Sequence, residues 1–166
     1  IKLGDRCVLI SENRPEWLIS DLAIMLAGGI SVPSYTTYTT KDYEYIIKDC
    51  EPSVLIVSNN TQFNKIKDIL DYKKIKKIIS FDRLENLKFQ NYLCIEDIIN
   101  KKESFENFNS EISLKRSDPA CIIYTSGTQG NPKGVILSHG GILSNCEGGY
   151  ESVSYTHLTL PTTRYV

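Results

Sequence analysis

Apolar and polar positions along the chain follow two alternating patterns, short continuous apolar runs and longer stretches with helical spacing. "CVLIS" (Cys7–Ser11) is a continuous apolar run, as expected of a parallel strand buried on both faces. "ENRPEWLISDLAIMLAGG" follows it: Asn13 can cap, Pro15 fits the first helical turn, and Trp17, Leu18, Leu22, Met25 and Leu26 share one face. Gly28 and Gly29 stop that helix. Ile30–Pro33 reads as a second strand, Lys41–Lys48 as a short second helix, Ser53–Ser58 as a third strand and Thr61–Leu70 as a third helix. Lys76–Ser80 reads as a fourth strand and Ile95–Asn100 as a helix fragment, while the polar stretch Ser104–Arg116 reads as a surface loop. The alternation predicts an α/β fold, three-layered, with a mostly parallel sheet and flanking helices. No internal repeat is visible.

The pattern changes at Val153. "VSYTHLTLPTTRYV" has no helical period and lacks the Ile, Lys and Asn abundant upstream. It resembles the in-frame translation of a transposon-type sequencing-library adapter, so residues 153–166 are expected to be a non-native tail without function. His157 is then no ligand candidate. At the other end, "IKLGDR" reads as a sentence begun partway through. The chain is expected to be truncated at both ends, the natural sequence stopping near Ser152.

Composition narrows the function classes. With 166 residues, 41% of them hydrophobic, the chain suits one soluble globular domain with a real core. A formal net charge of -1 gives no reason to expect nucleic acid. The lysines of "KIKDILDYKKIKKI" (Lys65–Ile78) are interleaved with Ile and Leu, and read as the solvated face of a helix leading into a strand. The five cysteines are widely spaced without a CxxC pair, suggesting neither a disulfide framework nor a zinc site. Cys7 and Cys121 lie in apolar runs and act as small hydrophobes, which fits a reducing cytoplasm. No signal peptide opens the chain, and no apolar run approaches the roughly 20 residues of a membrane span.

The candidate chemistry sits in "IIYTSGTQGNPKGVILSHGG" (Ile122–Gly141), where two apolar strands enclose a loop of small and polar residues. Thr125, Ser126 and Thr128 bring hydroxyls. Gly127 and Gly130 let backbone N–H groups turn toward one point and form an anion-binding concavity. Lys133 adds a mobile positive charge, and Pro132 stiffens the approach to it. A Walker A loop requires Lys directly after its second Gly, but Lys133 lies three residues beyond Gly130 and is followed by Gly134. A dinucleotide fingerprint requires three glycines, and Gly127 and Gly130 supply two. Both readings fail. A purely structural turn between two strands remains the plain alternative.

The whole pattern "IIYTSGTQGNPKGVILSH" resembles the phosphate-binding signature of the adenylate-forming enzymes: acyl-CoA synthetases, luciferases and the adenylation domains of peptide synthetases. Leu3–Thr39, with its "NRPEW" helix start and "VPSYTT" turn, is similar to the opening of bacterial long-chain fatty acyl-CoA synthetases, and "LSHGGILSN" suits the same group. The resemblance covers about Ile1 to Ser152 and is weakest between Asn59 and Arg116. Gln129 departs from the Thr that many members carry, but is polar and similarly placed.

The resemblance implies that residues 1–152 are an incomplete portion of the large N-terminal, AMP-binding domain of a long-chain fatty acid–CoA ligase. A fatty carboxylate would attack the α-phosphate of ATP, giving acyl-adenylate and pyrophosphate. Coenzyme A would then displace AMP to give the thioester. Thr125, Ser126, Gly127, Thr128, Gln129, Gly130 and Lys133 would embrace the β- and γ-phosphates. Mg2+ would bridge those phosphates, its ligating Glu belonging to a later motif. The implied partners are fatty acid, ATP and coenzyme A, with no nucleic acid. The implied location is cytoplasmic; peripheral membrane contact is open for an enzyme of insoluble substrates. The chain alone is expected to be inactive, because the ribose-holding aspartate, the hinge and the C-terminal domain lie beyond it. The alternatives are an adenylate-forming enzyme for another carboxylic acid and a non-catalytic nucleotide-binding module.

Other residues carry plainer readings. Trp17 reads as core. The aromatic stretch Ser34–Tyr45 either lines a ligand channel or packs a loop into a half-buried helix. His139 reads as a helix-start hydrogen bond rather than an acid–base catalyst, and Asp5, Glu12 and Asp21 as surface or capping groups.

Overall fold

The computed structural model describes residues 1–85, 87–100, 112–125 and 132–156, the side chains of 151–156 excepted. In chain order the elements are β1 (Arg6–Ile10), α1 (Pro15–Leu26), β2 (Ile30–Ser34), α2 (Thr40–Cys50), β3 (Val54–Val57), α3 (Asn60–Ile66), β4 (Lys77–Ser80), β5 (Tyr92–Cys94), α4 (Ile95–Asn100), β6 (Pro119–Thr125), β7 (Lys133–Ser138) and α5 (His139–Thr156). Their strands form one sheet in the order β5-β4-β3-β1-β2-β6-β7. Every neighbouring pair is parallel except β6 with β7.

The central strand β1 organises the rest. Its apolar run Cys7–Ile10 is wholly buried, hydrogen-bonded to β2 on one side and β3 on the other. Because side chains alternate along a strand, Val8 and Ile10 join one core cluster while Cys7 and Leu9 join the other. The first cluster takes Tyr43 and Ile46 from α2 and Phe63 and Ile66 from α3. The second takes Ile24 from α1. Stepping from β1 to β2 and then back past β1 to β3 puts successive crossover helices on opposite faces. The expected three-layer, mostly parallel α/β architecture is what forms.

Local chemistry sets the helix ends. Thr39 and Asp42 make a capping box at the start of α2: Asp42 Oδ2 accepts from Thr39 N at 2.8 Å, and Thr39 Oγ1 accepts from Asp42 N at 3.4 Å. At the far end, Arg6 donates to the carbonyls of Cys50 at 2.7 Å and Glu51 at 3.0 Å, a cation at the negative pole of the helix. Asn59 caps α3 by accepting from Gln62 N at 3.1 Å. Gly28, at φ +76°, ends α1 in the left-handed conformation that glycine adopts freely.

Several expectations need correction. Asn13 does not cap α1; the N-cap is Arg14, with no side-chain cap bond, and Pro15 at the first position fixes the helix start. The α1 face turned to the sheet carries Ser20 and Ile24, with Trp17 half-buried, whereas Leu18, Leu22 and Leu26 are exposed. The helix is apolar on more than one side, so spacing alone could not say which side meets the sheet. Helix α3 ends at Ile66 rather than Leu70, and β5, with three residues, is too short to leave a pattern. The end of α5 at Thr156 leaves the expected boundary near Ser152 untested; residues 157–166, and 104–111 of the expected surface loop, lie outside the described residues.

The lysine-rich run behaves as a solvated face, with Lys74 paired to Glu51 at 3.0 Å and Lys76 to Asp5 at 2.9 Å. Burial pushes the thiols of Cys7, Cys50 and Cys121 up to about 12, keeping them protonated and inert.

Leu55 lies at the sheet centre with no exposed surface; Leu55→Ala should cost about 2–5 kcal/mol in denaturant unfolding. The hydroxyl and amide of Thr39 hold the Asp42 carboxyl below its ordinary 3.8. Its contribution is therefore present above that pH and lost as pH falls through the lower folded value. Asp42→Ala should lower the melting temperature at pH 7, and the gap from wild type should close in acid.

Candidate functional site

The strands β6 and β7 form an antiparallel hairpin that frames the Gly-, Ser- and Thr-rich loop. In its register Tyr124 faces Gly134 and Thr125 faces Lys133, so the last pair brings the first hydroxyl of the motif beside its lysine. Both are exposed. Ser126, Gly127, Thr128, Gln129 and Gly130 lie outside the described residues. Because β6 runs parallel to β2, the hairpin mouth opens at the sheet edge where β1 and β2 also end. That carboxyl edge is where ligands settle in open parallel sheets.

Gly134 explains why a small residue follows the lysine. A Cβ there would lie 2.9 Å from Ile122 Cγ2, closer than real contacts allow, and 3.3 Å from Tyr124 Cζ, a tight approach. The Tyr124 ring therefore crosses the hairpin and lies on the backbone of the opposite stem. Tyr124 is buried, and its hydroxyl donates to Asp49 Oδ2 of α2 at 2.6 Å. Burial, reinforced by this bond to Asp49, pushes its phenol well above the ordinary tyrosine value. Tyr124 is thus a neutral structural donor rather than an acid or base.

A cleft of about 490 Å³ adjoins the hairpin mouth, between the ends of β1, β2 and β6. Trp17, Tyr35 and Tyr124 contribute its aromatic wall, and Ser11, Glu12 and Asn13 a polar rim. Burial alone would raise the Glu12 carboxyl, but hydrogen-bond donors outweigh it and hold the group below its ordinary 4.5. Gln62 Nε2, at 2.8 Å, is one of them. The cleft thus carries a fixed negative charge while the hairpin mouth carries the positive Lys133.

Sequence reasoning missed the polar rim, yet a signal existed: Ser11, Glu12 and Asn13 directly follow the apolar run of β1. The aromatic stretch divides between its two readings. Tyr43 is core and its hydroxyl donates to the Tyr35 carbonyl at 2.7 Å; Tyr38 packs edge-on between Tyr35 and Tyr43; Tyr35 itself lines the cleft. Lys65 donates to the Thr36 carbonyl and pins the same turn. Trp17 is both partly core and part of the wall. Neither Asp5 nor Asp21 caps a helix: Asp5 pairs with Lys76, and Asp21 accepts from Ser31.

His139 opens α5; its backbone N–H donates to the Asp118 carbonyl at 3.0 Å, a bond at the base of the β6–β7 pair that does not involve the imidazole. Ser138 Oγ accepts from Gly141 N at 3.1 Å in N-cap spacing. Among the described residues no three His, Cys, Asp or Glu side chains gather as a metal site, and no helix is long and apolar enough to cross a membrane.

A family model described as AMP-binding enzyme matches residues 1–165. The long-chain-fatty-acid–CoA ligase ACSBG2 of Xenopus laevis is 34% identical over 138 residues, which are 81% of this chain and 19% of that protein. The chain thus spans about a fifth of the length of such curated relatives. Among solved structures, the luciferase-like enzyme of the mealworm Zophobas morio shares the fold at TM-score 0.75 and 20% identity, over 90% of this chain and 34% of that one. The anthranilate CoA ligase AuaEII, solved with anthranoyl-AMP, matches at TM-score 0.62 and 26% identity, over 84% of this chain and 25% of that one.

The packing around Gly134 generates a stability test. Gly134→Ala should cost about 1–3 kcal/mol in thermal or denaturant unfolding, because the Ile122 methyl is on a stiff β-branched side chain. Adding Ile122→Ala should recover part of that loss, a non-additivity readable in a double-mutant cycle.

Proposed function

The chain belongs to the AMP-binding enzyme family, and on that premise we propose that it carries the phosphate-gripping loop of a long-chain fatty acid–CoA ligase. The observation that supports this most directly is the hairpin mouth. Thr125 and Lys133 stand opposite each other at the carboxyl edge of a parallel sheet, with "SGTQGNP" between them.

In this reading the fatty carboxylate forms a bond to the α-phosphorus of ATP as the bond to the pyrophosphate oxygen breaks. The carboxylate is a poor electrophile, and adenylation gives it a good leaving group. Negative charge accumulates on the departing pyrophosphate. Thr125, Ser126, Gly127, Thr128, Gln129, Gly130 and Lys133 would meet that charge with hydroxyls, backbone N–H groups and one ammonium, a donor set whose effect is electrostatic. The thiol of coenzyme A then attacks the acyl carbonyl and expels AMP. Mg2+ would neutralise phosphate charge on the nucleotide; the described residues offer no ligand cluster for it, so none of its ligation is assigned to this chain.

The choice of a long-chain fatty acid rests on the relatives' names at modest identity, including the fatty acyl-CoA synthetase A of Dictyostelium discoideum at 31%. No acyl or coenzyme A pocket is assigned to these residues. Residues 1–152 are taken as part of the AMP-binding domain, and 153–166 as foreign to it. Deleting 153–166 should leave the melting temperature unchanged, and a large loss would sink that boundary.

The full-length protein should release pyrophosphate from ATP when a fatty acid is present and not otherwise. Lys133→Ala should slow that release on the order of a hundredfold. Unchanged release in Lys133→Ala combined with Gly127→Ala would remove the phosphate role from the loop.

A further inference from the structure

At the far end of the hairpin β2 runs out just before β6 does. The parallel register passes through Ser31↔Cys121, which in step sets Ser34, the last residue of β2, beside Tyr124 and leaves the Thr125–Lys133 pair just beyond the neighbouring strand. Beyond β6, β7 is the edge strand of the described sheet, with Val135 and Ile136 exposed in succession. A two-stranded ribbon extending past its neighbour is marginal by itself. Any site that needs Thr125 and Lys133 in one place therefore needs a second anchor.

Tyr124 is built into that position. It immediately precedes Thr125, and its ring lies on Gly134, which immediately follows Lys133. One side chain thus touches both stems. Its hydroxyl reaches Asp49, 75 residues earlier, at 2.6 Å, and its carbonyl accepts from the Tyr38 hydroxyl at 3.4 Å. Asp49 does not float. It stands in the last turn of α2, whose Tyr43 and Ile46 have no exposed surface and whose terminal carbonyls are held by Arg6. A continuous chain of contacts runs from the buried centre of the sheet through α2 to Asp49, Tyr124 and the hairpin mouth.

We propose that the Asp49–Tyr124 pair is a positioning device, which fixes the separation and orientation of Thr125 and Lys133 for polyphosphate. Neither residue touches the ligand. The inference rests on the phosphate role given to this hairpin above, and deepens it by naming a residue on another element that sets its geometry. A phenylalanine at 124 would cover Gly134 equally well, so the hydroxyl has no packing reason to be there. Its one strong acceptor is the Asp49 carboxylate, and a charge-assisted bond of this length resists sliding of the strand end.

The test uses the 166-residue chain and inorganic tripolyphosphate, followed by amide chemical shifts of Thr125 and Lys133, with melting temperature recorded in parallel. Wild type should titrate to saturation, and Lys133→Ala should bind more weakly. Tyr124→Phe and Asp49→Ala should each weaken binding about tenfold, and the double variant should be no weaker than either alone. Asp49→Asn, which keeps an acceptor, should recover most of the loss. Should Asp49→Ala fail to fold, Tyr124→Phe against Asp49→Asn decides. If Lys133→Ala weakens binding while Tyr124→Phe binds as wild type and merely melts lower, the pair is structural only and the proposal is overturned. If wild type does not titrate, or Lys133→Ala changes nothing, the phosphate role of the hairpin itself fails, and the positioning role with it.

Discussion

The burial of β1 on both faces is the constraint from which the rest of the structure follows. Val8, Leu9 and Ile10 have no exposed surface, and their backbone groups pair with β2 on one side and β3 on the other. A strand in that situation can face only apolar layers, so both sides of the sheet must carry helices. Parallel pairing then sends the β1–β2, β2–β3 and β3–β4 connections over a face and gathers the ends of those strands along one edge. Polar residues collect there: Ser11 and Glu12 after β1, Tyr35 and Thr36 after β2, Thr125 at the end of β6.

That edge is electrostatically divided. Glu12 is held ionised next to Gln62 on the cleft side, while Lys133 stands free of the core on the hairpin side. A polyanion is attracted to the second and repelled from the first, so the two halves of the edge suit different parts of a ligand. Tyr124 lies at the boundary, bordering the cleft next to the last residue of the strand that leads to the loop. Its strongly raised phenol pKa means that the boundary stays neutral across the physiological range.

Much of this was legible before any coordinates. Continuous apolar runs marked β1 to β4, and the small-residue loop between two strands marked the hairpin. Failures came where one local pattern fits several tertiary answers. Leu18, Leu22 and Leu26 make a convincing apolar stripe, but α1 is apolar on more than one side and turns Ser20 and Ile24 to the sheet instead. Asn13 is a good cap residue placed one position too early, since Pro15 fixes where the helix begins. The three residues of β5 are recruited by the exposed edge of β4 and carry no period of their own.

The sequence by itself determined the α/β class, the order of the first four strands and their helices, and the small-residue loop enclosed between two apolar strands. Those properties are local: they depend on period, on capping chemistry, and on where glycine and proline stand. The tertiary structure alone decided that Thr125 meets Lys133, that Gly134 must leave room for the Tyr124 ring, and that Asp49 holds that ring from 75 residues away. Nothing in the spacing of a helix in the first third of the chain announces a partner in a strand of the last third. Such pairs exist only after the sheet has closed and brought the end of α2 beneath the end of β6.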